Sequence, residues 1–146
     1  MTDTSPLIIA AVDESPFFEP VVQRAHHMAG CMQSRLVVLH VYPARSANYA
    51  NEASMGDLTL RSNEDRDLEE EVKIRQRLEP RLEAIGVKPS VLEVVGGAPA
   101  RTVEEMVEKR QATLLVVGQP KARLGSLATK MVKNAPCDVY IVRVND

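Results

Sequence analysis

Leu7 to Val12 is an unbroken run of apolar residues that stops at Asp13-Glu14-Ser15-Pro16. A strand with one face in water alternates apolar and polar side chains. A parallel strand covered by helices on both faces reads as a continuous apolar run instead. Further strand-length apolar segments lie at Leu36–Val41, Val91–Val95, Leu114–Val117 and Val139–Val142, with helical patterns between them. The resulting order, β-α-β-(long loop)-α-β-α-β-α-β, calls for an α/β fold: a parallel sheet with helices on both faces and right-handed crossovers.

The connecting segments predict their own boundaries. Ser15 can cap a helix and Pro16 suits its first position; Val21, Val22, Ala25, Met28, Ala29 and Met32 then form its inner face. Residues 43–63, from Pro43 to Asn63, are polar, rich in small side chains and without periodicity, so a mobile loop ordered by a partner is expected there. Glu64–Ile85 reads as a charged helix supported by pairs such as Glu71–Arg75, with Leu68, Val72, Leu78, Leu82 and Ile85 as its buried stripe. Pro80 predicts a kink or a break in it, and Gly86 its end. Pro99 begins the next helix, with Val103, Met106 and Val107 inward, and the last helix covers Ser126 to Asn134.

Composition narrows the function classes. A chain of 146 residues, taken as one domain over 1–146, has no Trp, two Phe and three Tyr. Base stacking therefore has few platforms, and a net charge of -2 offers no basic field for nucleic acid or an anionic membrane. No apolar run approaches the ~20 residues that span a bilayer, and Met1 to Pro6 lacks a basic leader, so no membrane insertion and a soluble cytoplasmic protein are expected. Cys31 and Cys137 read as two buried thiols in a reducing compartment. His26 and His27, neighbours on a helix, point about 100° apart and cannot share a metal; one is expected partly buried, the other solvated. His40 reads as a core or rim histidine.

Ligands of doubly wound sheets sit outside the carboxyl ends of the strands, where strand order reverses. Those ends are Asp13, Val41-Tyr42, Gly96-Gly97 and Gly118. Gly125-Ser126 opens a helix, where unpaired backbone N–H groups and the helix dipole suit a phosphate. The loop from Gln119 to Leu124 carries Lys121 and Arg123.

Taken in order, these residues resemble the universal stress protein family over nearly the whole chain. The matching pieces are Ile9–Asp13 with Ser15, Leu36–Val41 followed by Tyr42-Pro43, Gly97-x-Pro99-Ala100-x-x-Val103, Leu115–Gly118, Gly125-Ser126, and Asn134-Ala135-Pro136-Cys137. The resemblance implies a five-stranded doubly wound sheet of order 3-2-1-4-5 and a homodimer paired through the fifth-strand edge. An apolar edge strand at Val139–Val142 independently calls for a partner. It further implies adenine-nucleotide binding, ATP or AMP, with contacts from Val12, Asp13 and Val41 on the adenine side and from Gly118, Gly125 and Ser126 on the phosphate side.

Nucleotide-binding members carry Gly-x2-Gly-x9-Gly-Ser/Thr. Here Lys121 replaces the second glycine, and only Ala122, Arg123 and Leu124 precede Gly125. Glu14 stands where the family has glycine, adding negative charge near the phosphates. The expected function is a stress-response or regulatory module with impaired nucleotide binding. The enzymatic alternative, weak nucleotide hydrolysis on the same fold, lacks a general base beyond Asp13. A phosphoacceptor reading fails because the third strand ends in Gly96-Gly97, with no aspartate.

Overall fold

The structure is a computed structural model that describes residues 4–44, 56–120 and 126–144. Its elements are β1 (Leu7–Val12), α1 (Phe18–Cys31), β2 (Arg35–Tyr42), α2 (Gly56–Ala84), a single 3-10 turn (Pro89–Val91), β3 (Leu92–Gly96), α3 (Pro99–Lys109), β4 (Leu114–Pro120), α4 (Ser126–Asn134) and β5 (Asp138–Val144). The five strands form one all-parallel sheet in the order β3-β2-β1-β4-β5. This is the doubly wound α/β topology expected from the apolar runs and the resemblance.

Alternation along the strands sorts the core into two layers. Leu7, Ile9, Ala11, Leu39, Leu115 and Val117 face one side, where Val103 and Val107 of α3 and Ala128 and Met131 of α4 cover them. Ile8, Ala10, Val38, Leu92, Val94 and Val116 face the other, against Phe18, Val21, Val22 and Ala25 of α1 and Ile74, Leu78 and Leu82 of α2. Burying both faces is what continuous apolar strands require.

Several local expectations need correction. Helix α2 begins at Gly56, so residues 56–63 of the expected loop are helical, while 45–55, with the mobile-loop expectation, lie outside the described residues. Leu68 and Val72 are 62% and 54% exposed, not buried. Leu78 and Leu82 are buried as expected, and the inward stripe runs back from them through Ile74 at helical spacing to Asp67 and Asn63, so polar residues point inward where Leu68 and Val72 were expected to. The helix passes through Pro80 without a break. Pro80 and Gln76 are both exposed, so the Gln76 carbonyl that loses its helical donor can bond water.

The start of α1 also moves. Ser15 Oγ accepts from the Phe17 N–H (3.2 Å), which makes a turn ahead of the helix, and α1 starts only at Phe18. Met32 is exposed because the chain leaves α1 there, through Gln33 at φ 52°. Cys31 is exposed, contrary to a buried thiol, and His26 and His27 are both exposed because Ala25 and Ala29 hold the inner face. Cys137 is half-buried, as is Met106 beside the buried Val103 and Val107.

Candidate functional site

Strand register assembles a row of residues at the carboxyl end of the sheet, on the face covered by α3 and α4. Val95 of β3 pairs with Val41 of β2. Val12 of β1 pairs with His40, so Asp13, the next residue, follows beside Val41. Ala11 pairs with Val117 of β4, which places Gln119 two residues on along the same face, and Gln119 pairs with Arg143 of β5. The row therefore reads Val95, Val41, Asp13, Gln119, Arg143. It crosses the boundary between β1 and β4, where strand order reverses.

On this row Val41 and Val95 are half-buried apolar residues of the α3/α4 core, and Asp13 and Arg143 are exposed. Asp13 Oδ1 accepts from the Ser15 N–H (3.0 Å), so its carboxylate shapes the turn while staying exposed. The Val12 carbonyl accepts from Nδ1 of the buried His40 (3.0 Å), which gives that histidine a structural partner.

Gly118 lies inside β4, paired with Val142, and not in a loop. A Cβ there would come within 2.7 Å of Cγ2 of Val21 in α1. Its missing side chain thus serves close packing on the α1 face, opposite the row. Strand pairing also takes in Gln119 and Pro120, residues assigned to the loop from sequence. Lys121, Arg123 and Gly125 lie outside the described residues, and Ser126 is the first residue of α4. The structure therefore brings Val12, Asp13, Val41 and Gly118 to one end of the sheet, Val41 on the face that α4 covers and Val12 and Gly118 on the face that α1 covers.

Sequence reasoning missed the arginines that hold the β1–α1 turn. Arg81 of α2 donates through Nε and Nη2 to the Glu19 carboxylate (both 2.6 Å). It also donates through Nη1 to the Glu14 carbonyl and through Nη2 to the Ser15 carbonyl (both 2.8 Å). The guanidinium lies over the Phe18 ring, 4.8 Å from its centroid. Arg77, one turn earlier, holds both oxygens of Glu14. Hydrogen bonds from Arg77 lower the Glu14 pKa from its ordinary value of 4.5, and those from Arg81 do the same for Glu19. The negative charge expected near the phosphates is consequently neutralised and turned toward α2. Their sequence signal was position: Arg77 and Arg81 sit one residue before the buried Leu78 and Leu82, at the rim of the core.

A separate cleft of about 520 Å³ opens beyond β2 and β3, lined by Pro43, Ala44, Gly96, Gly97, Arg101 and Thr102 among others. Gly97, at φ +154°, sits so close to Thr102 that a Cβ would meet its Oγ1. Val12, Asp13, Val41 and Gly118 do not line this cleft.

The chain is of the doubly wound α/β class, in which ligands sit outside the carboxyl ends of the strands where strand order reverses, and here that point carries an acidic strand end, an apolar neighbour and a helix start. The family model for the universal stress protein family matches residues 7–143, so the chain belongs to that family. Universal stress protein A homolog 1 of Coxiella burnetii is 29% identical over 140 residues, covering 92% of this chain and 94% of the relative. Among solved structures, universal stress protein UspA from Lactobacillus plantarum matches with a TM-score of 0.67 and 21% identity, covering 97% of this chain and all of its own. A universal stress protein in complex with cAMP matches with a TM-score of 0.60 and 21% identity, covering 97% and 98%.

Proposed function

We propose that this protein is a dimeric cytoplasmic regulatory module of the stress response that binds adenine nucleotide weakly at the β1/β4 switch point. The observation that carries the reading is the register row: half-buried Val41 beside the exposed carboxylate of Asp13, on the face that α4 overlies. The family relative in complex with cAMP supports a nucleotide as the ligand class. In this reading Val12, Asp13 and Val41 hold the adenine side, and Gly118, Gly125 and Ser126 the phosphate side. Affinity is reduced because Lys121 cannot adopt the glycine conformations that bring backbone N–H groups onto phosphate, although it adds a point charge.

Titration calorimetry with ATP and AMP tests the site, together with analysis of nucleotide released from the denatured protein. Saturable binding that Asp13→Ala weakens is the expected result. Binding unchanged by that substitution would remove Asp13 from the site, and no heat at millimolar nucleotide would remove the ligand class. For the dimer, β5 forms an edge of the sheet, with half-buried Val139 and Ile141 on it. Ile141→Lys should halve the mass seen by light scattering.

A further inference from the structure

His27 and Cys31 stand one turn apart on α1, and Nε2 of the imidazole lies 3.6 Å from the Cys31 Sγ. Residues four apart share a helix face, so the backbone of α1 sets the pair. That backbone is fixed from its other side, where Val21, Val22, Ala25 and Ala29 are buried. Both side chains of the pair are exposed, so the packing of α1 calls for neither.

We propose that His27 and Cys31 form a binding site for zinc or a divalent cation with the same preference for nitrogen and sulfur. Zinc bonds thiolate sulfur at about 2.3 Å and imidazole nitrogen at about 2.0–2.1 Å, and a tetrahedral angle then separates the two ligand atoms by about 3.6 Å. The pair already stands at that separation. On binding, the thiol proton leaves to solvent, and Sγ and Nε2 each give an electron pair to the metal. The local field agrees with a cation. Cys31 is the last residue of α1, where helix carbonyls carry partial negative charge, and no basic residue lies in that last turn. Arg24, one turn before His27, is held on Tyr140 by a 2.6 Å hydrogen bond and by its ring. Among the described residues no third His, Cys, Asp or Glu completes a cluster. Water therefore fills the remaining positions, and the ion is exchangeable, unlike that of a closed four-ligand structural site. Bound metal also masks the Cys31 thiolate, so metal uptake and thiol reactivity compete for one atom.

The test is competition for Zn2+ against a chromogenic indicator, with reduced wild-type chain and the variants His27→Gln, Cys31→Ser and His26→Gln. Alkylation of Cys31, followed by peptide mass spectrometry with and without zinc, gives a second readout. Wild type should take up one ion per chain, and His26→Gln should match it. His27→Gln and Cys31→Ser should each weaken uptake by about ten-fold or more, at least the loss caused by removing a hydrogen-bond partner of a metal ligand. Zinc should slow alkylation of Cys31 in the wild type and not in His27→Gln. All three positions are exposed, so the variants should melt with the wild type, which separates lost ligation from lost folding. Uptake unchanged in His27→Gln or Cys31→Ser would place the ion elsewhere and overturn the proposal. No uptake by the wild type at submillimolar zinc would also overturn it, and the 3.6 Å contact would then be a thiol–imidazole hydrogen bond alone.

Discussion

The two ends of the sheet are built on different principles. At the amino end, three helices return to the strands by one device. α1, α2 and α3 each finish with a left-handed residue, at Gln33, Gly86 and Gln111. In each the following residue's N–H reaches back to a carbonyl in the last turn: Ser34 to Ala29, Val87 to Leu82, and Ala112 to Val107. This is the Schellman arrangement, repeated. At the carboxyl end the turns among the described residues differ from one another. The β1–α1 turn is held by arginines from α2, the β3–α3 turn closes through Gly96 and Gly97, and β4 runs past Gly118 to a buried Gln119. One end is a repeated solution to chain reversal, while the other varies residue by residue where a ligand would sit. Substitutions should therefore be interchangeable at the amino end and particular at the carboxyl end.

Gly118 offers the largest effect. Val21 is buried and β-branched, with little rotamer freedom to retreat from an added methyl. Gly118→Ala should destabilise the protein by roughly 1–3 kcal/mol, measured by urea denaturation. The second substitution Val21→Ala should recover part of that loss, because it removes the methyl that clashes. If Gly118→Ala is neutral in stability but abolishes nucleotide binding, the glycine serves the ligand and not the packing of α1.

Arg81 comes next. Arg81→Leu leaves the partly buried Glu19 carboxylate and two turn carbonyls without their donor, and a loss of roughly 2 kcal/mol is expected after allowance for solvent screening. The pH dependence gives an independent check. Glu14 and Glu19 have folded pKa values below their ordinary 4.5, so their contribution is present above that pH and is lost as pH falls through the folded values. Wild-type stability should therefore drop below about pH 4.5 more steeply than that of Arg81→Leu, whose Glu19 has lost its partner. Parallel pH curves would mean that the arginine contributes packing on Phe18 and little charge pairing.

The same contrast explains what could be read from the sequence. The unbroken runs at Leu7–Val12 and Leu114–Val117 dictated buried parallel strands, because no other arrangement hides both faces. Gly86 signalled its helix end, since a left-handed residue there is least strained as glycine. Gln33 and Gln111 give no such sign, because the tertiary fold imposes positive φ on them. On α2, the apolar identity of Leu68 and Val72 does not give their direction, because the stripe set by Ile74, Leu78 and Leu82 carries Asp67 and Asn63 inward instead. At the candidate site, Asp13 and Val41 were legible from strand ends alone. Arg77, Arg81 and Gln119 were not. Two of these reach the site from a helix distant in sequence, and Gln119 lay in an expected loop until strand pairing with Arg143 placed it in β4.

The smallest effect should appear at the amino end, and with the opposite sign. A non-glycine residue in the left-handed region is strained by its Cβ against the backbone, whereas glycine is not. Gln33→Gly and Gln111→Gly remove that strain but give the unfolded chain more freedom, which offsets part of the gain. Each should stabilise the protein by a few tenths to about 1 kcal/mol in urea denaturation. The two sites lie in separate exits, after α1 and α3, so their effects should add in the double variant. Equal and additive gains at Gln33 and Gln111 would show that this end of the sheet is a repeated device. A gain at one and a loss at the other would show that a glutamine side chain makes a contact of its own, and the contrast between the two ends would narrow accordingly.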